Sequence, residues 1–174
     1  MSGAPIMLPG RHVINIADVG HLVSDADSGE DKMELAARRA GQSAEEIAEK
    51  YTRLWLQDRE RVNCLPPEVI CKASEHIAEQ IALGRRLEEK GYLYRLEDGI
   101  YFDVSKFPSY AELAGLDLAG QGEVQRIASV AGKRQPADFA IWKFAAAGVK
   151  RLQEWDSPWG RGFPGWHLEC SAMS

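Results

Sequence analysis

Residues Trp155 to Ser174 read WDSPWGRGFPGWHLECSAMS and combine three tryptophans, two prolines, three glycines, a histidine and a cysteine. Proline fixes the backbone and glycine frees it, so the portion from Pro158 to Gly165 predicts a rigid loop. The residues after it predict a short helix that begins at about Trp166. A segment of this composition is too irregular for an ordinary core helix, and it indicates a loop with a specific conformation, as functional sites have.

Cys170 is the candidate for chemistry in this predicted helix. Helical spacing places Cys170 on one face with Trp166, and it brings His167 within reach of the same sulfur. A thiol in the first turn of a helix would feel the positive end of the helix dipole, which favours the thiolate that binds metals or attacks electrophiles. Three interpretations stay open for Cys170: a packed core cysteine, a nucleophile paired with His167, and a metal ligand.

Four more segments of the chain, together with the tryptophan-rich segment, resemble segments of one known protein family. They are NIADVGHLVSDADSGEDKM at Asn15 to Met33, ICKASEHIAEQI at Ile70 to Ile81, GYLYRLEDGIYFDVSKFPSY at Gly91 to Tyr110, and ADFAIWK at Ala137 to Lys143. Together with residues 155–173 they resemble, in the same order, segments of cysteinyl-tRNA synthetase. That family consists of class I enzymes that activate cysteine with ATP and load it onto tRNA.

The resemblance implies an α/β protein with an incomplete Rossmann-like class I synthetase catalytic fold and a connective insertion that contains a β-hairpin. It also implies a division of the chain. Residues 1–12 would be an unstructured leader, 13–62 part of the nucleotide-binding fold, 63–136 the connective insertion, and 137–174 the return to the catalytic fold with the zinc-site helix.

The resemblance also implies roles for residues of the tryptophan-rich segment. Cys170 would be a zinc ligand, in a site where the metal selects cysteine by binding the substrate thiolate, since zinc prefers sulfur and nitrogen. Trp166 would be an aromatic wall beside the substrate side chain, with plain core packing as its alternative. His167 would neighbour the adenylate pocket. The family's other zinc ligands lie in segments that this chain lacks, so we expect negligible zinc affinity from these residues alone.

Asp18 follows a short apolar run, HVINI at His12 to Ile16, that predicts a buried parallel strand. Open α/β sheets bind ligands at the carboxyl ends of such strands. The resemblance makes Asp18 a substrate-binding candidate, although the family commonly has threonine where this chain has Ala17. The alternative for Asp18 is a turn former or a helix cap.

Two helices are predicted between this strand and the middle of the chain. Ser43 and Glu46 form a capping box that starts a helix ending at Val62. Its apolar stripe is interpreted as core and consists of Ile47, Tyr51, Leu54, Trp55 and Val62. A second helix is predicted from Ser74, as its cap, to Lys90. His76 near its start is interpreted as a surface or capping histidine.

The second half of the chain predicts strands. Alternation on either side of Asp98 and Gly99 predicts a β-hairpin over Tyr92 to Val104. The weakly patterned residues from Ser105 to Arg134 predict a mobile excursion. A further strand at Asp138 to Phe144 is expected to return toward the main sheet.

Composition excludes several classes of protein. The net charge of −5 gives no overall attraction to nucleic acid, and no apolar run reaches the roughly 20 residues that span a bilayer. A cytoplasmic protein without a membrane partner is expected. The three cysteines show no CxxC spacing and predict reduced thiols. The acidic run Ser24 to Asp31 lacks the ligand spacing of an EF-hand, because Ala36 stands where a glutamate is needed.

The expected function is that of a partial cysteinyl-tRNA synthetase. The sequence contains neither the HIGH-type nor the KMSKS-type nucleotide motif of the family, whose members are several hundred residues long. Cysteine, ATP and tRNA(Cys) are the partners of the parent reaction, and the chain is expected to be inactive alone. Three alternatives stay open: a non-catalytic paralogue, one half of a split enzyme that needs a complementary chain, and a relative of the mycothiol-pathway cysteine ligases.

Overall fold

The computed structural model describes residues 10–19, 36, 39–110, 112, 132–145, 151 and 153–174. Most of the predicted leader, the acidic run Ser24 to Asp31 and residues 113–131 of the predicted excursion lie outside these ranges. Within them, no helix has both the length and the apolar character that crossing a membrane requires.

The described residues form three α-helices and two β-sheets. The helices are α1 (Ala44–Arg61), α2 (Ile77–Glu89) and α3 (Trp166–Met173). The strands are β1 (Val13–Ile16), β2 (Val69–Lys72), β3 (Leu93–Leu96), β4 (Gly99–Phe102), β5 (Phe139–Phe144) and β6 (Gly162–Pro164). The first sheet is the pair β1–β2, and the second has the order β3-β4-β5-β6.

The strand predicted from the HVINI run is present as β1, and it is parallel to β2. Val13 faces Val69 and Ile16 faces Lys72 at the two ends of the ladder. β1 is half-buried along its whole length rather than buried as predicted. The sequence interpretation did not include β2 as a strand.

The predicted β-hairpin is confirmed as the antiparallel pair β3–β4. The next strand, β5, was expected to join the main sheet of β1, and this was wrong: β5 pairs antiparallel with β4 on one side and with β6 on the other. An ion pair between a buried lysine and a half-exposed aspartate helps to hold β5 there, because the Lys143 ammonium donates to the Asp98 carboxylate in the hairpin turn at 2.7 Å.

Helix α1 begins as predicted, because Ser43 and Glu46 form both hydrogen bonds of a capping box. The interpretation of its apolar stripe as core was wrong. Only Ala44 and Ile47 of α1 are buried, whereas the rest of the stripe is exposed, namely Tyr51, Leu54, Trp55 and the following Val62. The helix is amphipathic, but the described residues cover only its first turn.

The predicted cap of the second helix was also wrong. Ser74 lies in a 3₁₀ turn, Ala73–Glu75, and α2 starts at Ile77 with His76 at the N-cap position. The His76 side chain makes no capping hydrogen bond; its Nδ1 lies 2.8 Å from the Lys72 carbonyl oxygen. Ser74 is not available as a cap because its amide and hydroxyl both donate to Asp18.

The main hydrophobic core joins the two sheets through aromatic and aliphatic side chains. Its buried members are Val19, Cys71, Ala73, Ile77, Ile100, Trp142, Trp159 and Met173. These residues come from both sheets, from α2, from α3 and from the tryptophan-rich loop. The position of that loop and of α3 is therefore fixed by the same packing that stabilises the fold.

A buried carboxylate, Asp138, ties the start of β5 to the hairpin. It accepts hydrogen bonds from the Tyr94 hydroxyl at 2.7 Å and from the Val104 amide at 3.0 Å. Burial and the hydrogen bond to Asp138 raise the pKa of Tyr94 to about 12 from an ordinary 10. Folding therefore favours the protonated phenol of Tyr94.

This pKa shift predicts a loss of stability at high pH. Because the folded-state pKa of Tyr94 is raised, its contribution is complete below about pH 10 and is lost as the pH rises through about 12. Urea unfolding at about pH 8 and about pH 11 measures the difference. The Tyr94→Phe variant should lose about 1 kcal/mol of unfolding free energy at the lower pH. Between the two pH values the unfolding free energy of Tyr94→Phe should fall by less than that of the unsubstituted chain. Equal falls would contradict the attribution of the pH dependence to Tyr94.

Candidate functional site

The predicted rigid loop before α3 is present, and it contains the short strand β6. Trp155 and Gly162 exchange two backbone hydrogen bonds, of 2.7 and 3.0 Å, which close the loop. Two glycines permit close contact with β5: a Cβ on Gly162 would lie 2.0 Å from the Lys143 carbonyl oxygen, and one on Gly165 would lie 2.0 Å from that of Ala140. The loop can therefore lie against β5 only with glycine at these positions.

Trp159 anchors the tip of the loop on helix α2. Its indole Nε1 donates to the Glu88 carboxylate at 3.0 Å, and its ring packs on Gly84, where a Cβ would come within 2.5 Å of the ring. The ring also lies against that of Trp142, with the centroids 6.1 Å apart. These contacts make the loop a fixed part of the core.

Glu154 holds the two ends of the loop together. Burial by itself would raise the pKa of Glu154, but hydrogen bonds from the Arg161 side chain and from the Arg151 backbone outweigh this, so the pKa is lower than usual. The Arg161 Nε lies 3.0 Å from the Glu154 carboxylate, and the Arg151 amide lies 3.1 Å from it. The carboxylate is therefore charged near neutral pH and supports the loop in that form.

The loop places α3 beside the parallel pair β1–β2, so that Cys170 contacts β1, the first strand of the chain. The Asn15 side-chain amide donates to the Cys170 sulfur at 3.1 Å, across 155 positions of sequence. A second thiol holds the end of α3, since the Cys71 sulfur lies 3.7 Å from the Ile14 carbonyl oxygen and 3.9 Å from that of Met173. The Cys170 sulfur is partly buried and lies next to β1 near the carboxyl end of that strand.

The predicted position of Cys170 in the first turn of its helix was wrong. The helix begins at Trp166, so Cys170 is in the second turn. The dipole effect falls off within the first turn and therefore has little influence on this thiol. The amide of Asn15 supplies the polar contact instead.

Trp166 and His167 lie on different sides of α3. Trp166 is 62% exposed, which excludes plain core packing within the described residues and leaves much of its indole at the surface. The His167 ring packs against Phe139, with centroids 4.5 Å apart. Cys170 thus contacts β1, whereas His167 contacts β5. These contacts give no support to the interpretation of Cys170 and His167 as nucleophile and base.

Asp18 is buried just beyond β1 and serves the local structure. One of its carboxylate oxygens accepts from the Ser74 amide at 2.9 Å and the other from the Ser74 hydroxyl at 2.5 Å. It therefore supports the 3₁₀ turn that follows β2, through a contact across 56 positions of sequence rather than as the cap of its own segment. The carbonyl oxygen of Asp18 also accepts from the Gln153 side chain at 3.0 Å, which ties the end of β1 to the tryptophan-rich segment. A contact of Asp18 with substrate stays a prediction.

Two cavities flank these residues. The first, of about 280 Å³, lies between α1 and the ends of β1 and β2. It is lined by Asp18, Glu45, Ala48, Glu49, Thr52, Lys72, Ser74, Glu75 and Gln153. The second, of about 390 Å³, is apolar and lies on the His167 side of α3. The first cavity is the one at the strand ends, where open α/β sheets bind ligands.

The described residues do not by themselves fit the zinc ion that the resemblance implies. Cys170 offers one sulfur donor with an amide beside it, yet a zinc site needs three or four protein ligands. Within the ranges that the structure describes, no group of three or more His, Cys, Asp or Glu side chains could hold a metal.

Asn15 is the residue of this site that the sequence interpretation missed. It stands inside the apolar run of β1 as the one polar side chain between Ile14 and Ile16. A polar side chain in a strand whose apolar sequence predicts burial requires a hydrogen-bond partner. That signal was present, but the identity of its partner, Cys170, follows only from the tertiary structure.

Comparisons with known proteins show similarity over nearly the whole chain. Residues 13–174 match the family described as tRNA synthetases class I (C) catalytic domain. Among similar proteins, a cysteine--tRNA ligase 1 of Burkholderia lata is 57% identical over 164 residues, which are 94% of this chain and 35% of that protein. The cysteine--tRNA ligase of Treponema denticola is 49% identical over 163 residues, or 94% of this chain and 33% of that protein.

A third relative, the cysteine--tRNA ligase of Zymomonas mobilis, is 48% identical over 167 residues, which cover 95% of this chain and 32% of that protein. The chain therefore spans about a third of the length of the curated relatives it matches. The family match covers nearly the whole chain and includes β1, α3 and the loop between β5 and α3. The chain belongs to the family of class I tRNA synthetase catalytic domains of the cysteine type, with mixed α/β content.

Proposed function

We propose that this chain forms the cysteine-binding part of a cysteinyl-tRNA synthetase catalytic domain. The parent reaction is the ATP-dependent activation of cysteine and its transfer to tRNA(Cys). The observation that carries the proposal is the contact between Asn15 and Cys170, which sets a thiol near the carboxyl end of a parallel strand, with the exposed Trp166 one turn earlier in the same helix. Ligands of open α/β sheets bind at such strand ends.

Each residue of the site has a role that its contacts support. Asn15 orients the Cys170 sulfur, and Trp166 offers an apolar surface for the substrate side chain. Asp18 shapes the end of β1 through Ser74 and so frames the pocket. Ala17 provides no hydroxyl, so a substrate hydrogen bond from that position is not part of the proposal. His167 faces the second cavity and would neighbour the adenylate from that side of α3.

Cys170 is proposed as one ligand of a zinc ion in the assembled synthetase. The other ligands would have to come from outside the described residues, because those residues provide no complete group. The sequence also contains no HIGH-type or KMSKS-type motif. We therefore propose that the chain alone has no ligase activity and needs further polypeptide of the same catalytic domain. The proposed function, which uses ATP and tRNA, belongs to the cytoplasm. No finding favours an amino-sugar acceptor over tRNA.

A chimera tests this function. The chain replaces the matching 164 residues of the Burkholderia lata relative, and cysteine-dependent exchange of pyrophosphate into ATP is measured. The chimera should catalyse the exchange, and Cys170→Ser should lower its kcat/KM for cysteine by at least about 100-fold. Cys64→Ser is the matched control, since Cys64 is exposed and should leave the exchange unchanged. Exchange that survives Cys170→Ser, or exchange by the 174-residue chain alone, would contradict the proposal.

A further inference from the structure

The second cavity, on the His167 side of α3, has the size and the lining of a site for one flat ring. Its volume of about 390 Å³ lies at the lower end of the roughly 300–1,000 Å³ that ligand pockets span. Phe102 and Leu168 line it and are buried, whereas the lining residues Phe107, His167 and Ser171 are exposed. The cavity therefore has a buried floor and a rim that is open to solvent.

Aromatic rings form much of the lining of this cavity. The Phe102 ring stacks on those of Tyr92 and Phe139, with centroid distances of 5.6 and 5.1 Å and interplanar angles of 8° and 12°. Tyr110 extends the cluster, since its ring centroid lies 5.8 Å from that of Phe139. Proteins bind the unpaired bases of nucleic acids by stacking them on such rings. The lining is therefore chemically suited to a nucleobase.

The charges at the cavity favour a base that carries a single phosphate group beside it. None of the described residues that line the cavity has a carboxylate. The Lys106 ammonium lies next to the lining residue Tyr92, because it donates to the Gly91 carbonyl oxygen at 2.7 Å. One ammonium matches one phosphodiester, whereas a nucleoside triphosphate is held by several donors together. The end of a nucleic acid chain fits these charges better than free ATP does.

Helix α3 connects the second cavity with the site around Cys170. His167 and Ser171 are four residues apart and line the cavity, whereas Cys170 contacts β1. An α-helix with its side chains is about 10 Å across, so a base in the cavity and a cysteine beside Cys170 would be separated by about the thickness of one helix. The ribose of that base would lie at the rim beside His167, where the adenylate is proposed to lie.

We propose that the second cavity binds the unpaired adenine base at the 3′ end of tRNA(Cys). This inference rests on the proposed function and adds to it the site of the acceptor base. The base stacks among the rings of Tyr92, Tyr110 and Phe139, and the phosphate that precedes it lies toward Lys106. The terminal ribose then lies at the rim of the cavity beside His167, so the cavity positions the acceptor hydroxyls and takes no part in the chemistry.

Binding of the chimera described above to tRNA(Cys) with and without its 3′-terminal adenosine tests the inference. The complete tRNA should bind with a Kd at least about fivefold lower than the shortened tRNA, because stacking of one base contributes that much. Ser171→Trp fills the opening of the cavity and should abolish this difference. Ser174→Trp is the matched control and should retain it. Both serines are exposed and donate to the carbonyl oxygen four residues earlier, but Ser174 does not line the cavity.

Hydrogen exchange of the unsubstituted chimera locates the base without any substitution. Complete tRNA(Cys) should slow the exchange of residues 83–92 and 102–110 more than the shortened tRNA does, because these residues surround the cavity. Equal protection by the two tRNAs would overturn the inference, as would equal Kd values. A difference in Kd that survives Ser171→Trp, or that both serine variants abolish, would also contradict it.

The pyrophosphate exchange assay separates this inference from the function on which it rests, because the exchange does not involve tRNA. A chimera that exchanges pyrophosphate but binds both tRNAs equally retains the function and contradicts the base site. A chimera that distinguishes the two tRNAs but shows no cysteine-dependent exchange retains the base site and contradicts the function. A KM for ATP that rises about fivefold or more in Ser171→Trp but not in Ser174→Trp would identify ATP as the source of the base and overturn the inference.

Discussion

Gly165→Ala is expected to lower the free energy of unfolding by about 3 kcal/mol. The backbone of Gly165 has φ −75° and ψ 147°, which alanine adopts readily, so the penalty is steric rather than conformational. An added Cβ would lie 2.0 Å from the carbonyl oxygen of Ala140 and 2.7 Å from its carbonyl carbon. These are backbone atoms of β5 and cannot rotate away, and the Gly165 amide is itself bound to the Ile141 carbonyl oxygen at 2.8 Å.

Urea unfolding of Gly165→Ala measures this loss, and Gly41→Ala is the contrasting variant. Gly41 has φ +62°, and an added Cβ would meet no described atom within 4 Å, so alanine there should cost only about 1 kcal/mol of backbone strain. The Gly165 variant also displaces the start of α3 and with it Cys170. An unfolding free energy no lower for Gly165→Ala than for Gly41→Ala would show that the close approach of the loop to β5 is not required.

Trp142→Ala is expected to lower the free energy of unfolding by about 3–5 kcal/mol, enough to unfold a domain of ordinary stability. Trp142 is fully buried at the centre of the core that joins the two sheets. Its indole packs against Trp159 and donates to the Gly160 carbonyl oxygen at 3.2 Å, so its removal leaves a large cavity and takes away one of the two side-chain donors to that carbonyl. Loss of this side chain therefore weakens both the core and the support of α3.

Circular dichroism during urea titration measures this effect, with Trp166→Ala as the matched control. Trp166 is the most exposed tryptophan of residues 155–174, and its truncation should change the unfolding free energy by no more than about 0.5 kcal/mol. The two substitutions thus separate a tryptophan that stabilises the fold from one available to a substrate. A comparable loss of stability in both variants would contradict that separation.

The elements that the sequence predicted well are those whose determinants are local. The capping box of Ser43 and Glu46 predicted the start of α1, and alternation around Asp98 and Gly99 predicted the hairpin. The apolar stripe of α1 beyond Ile47 was misinterpreted because amphipathicity shows that a helix has an apolar face, but not that another element covers it. Strand β5 was assigned to the wrong sheet because its own residues do not specify which neighbour it pairs with.

The site was predictable only in part. The resemblance singled out Cys170 and Trp166, and the helix that carries them was predicted from the sequence. The contact of Cys170 with Asn15 joins two short elements from opposite ends of the described chain, and no periodicity within either element indicates the other. Asp18 was considered as a turn former, a helix cap or a ligand, and its contact with Ser74, 56 positions away, follows only from the tertiary structure.

The contact between Asn15 and Cys170 also determines when this part of the molecule can be completed during synthesis. The two residues are 155 positions apart, and a ribosome adding roughly 5–20 residues per second needs roughly 8–30 s to cover that distance. During that interval β1 has been translated while its helical partner has not. Strand β1 can therefore pair with β2 well before the Asn15 amide has a thiol to bind, so the two halves of this site are completed at different times.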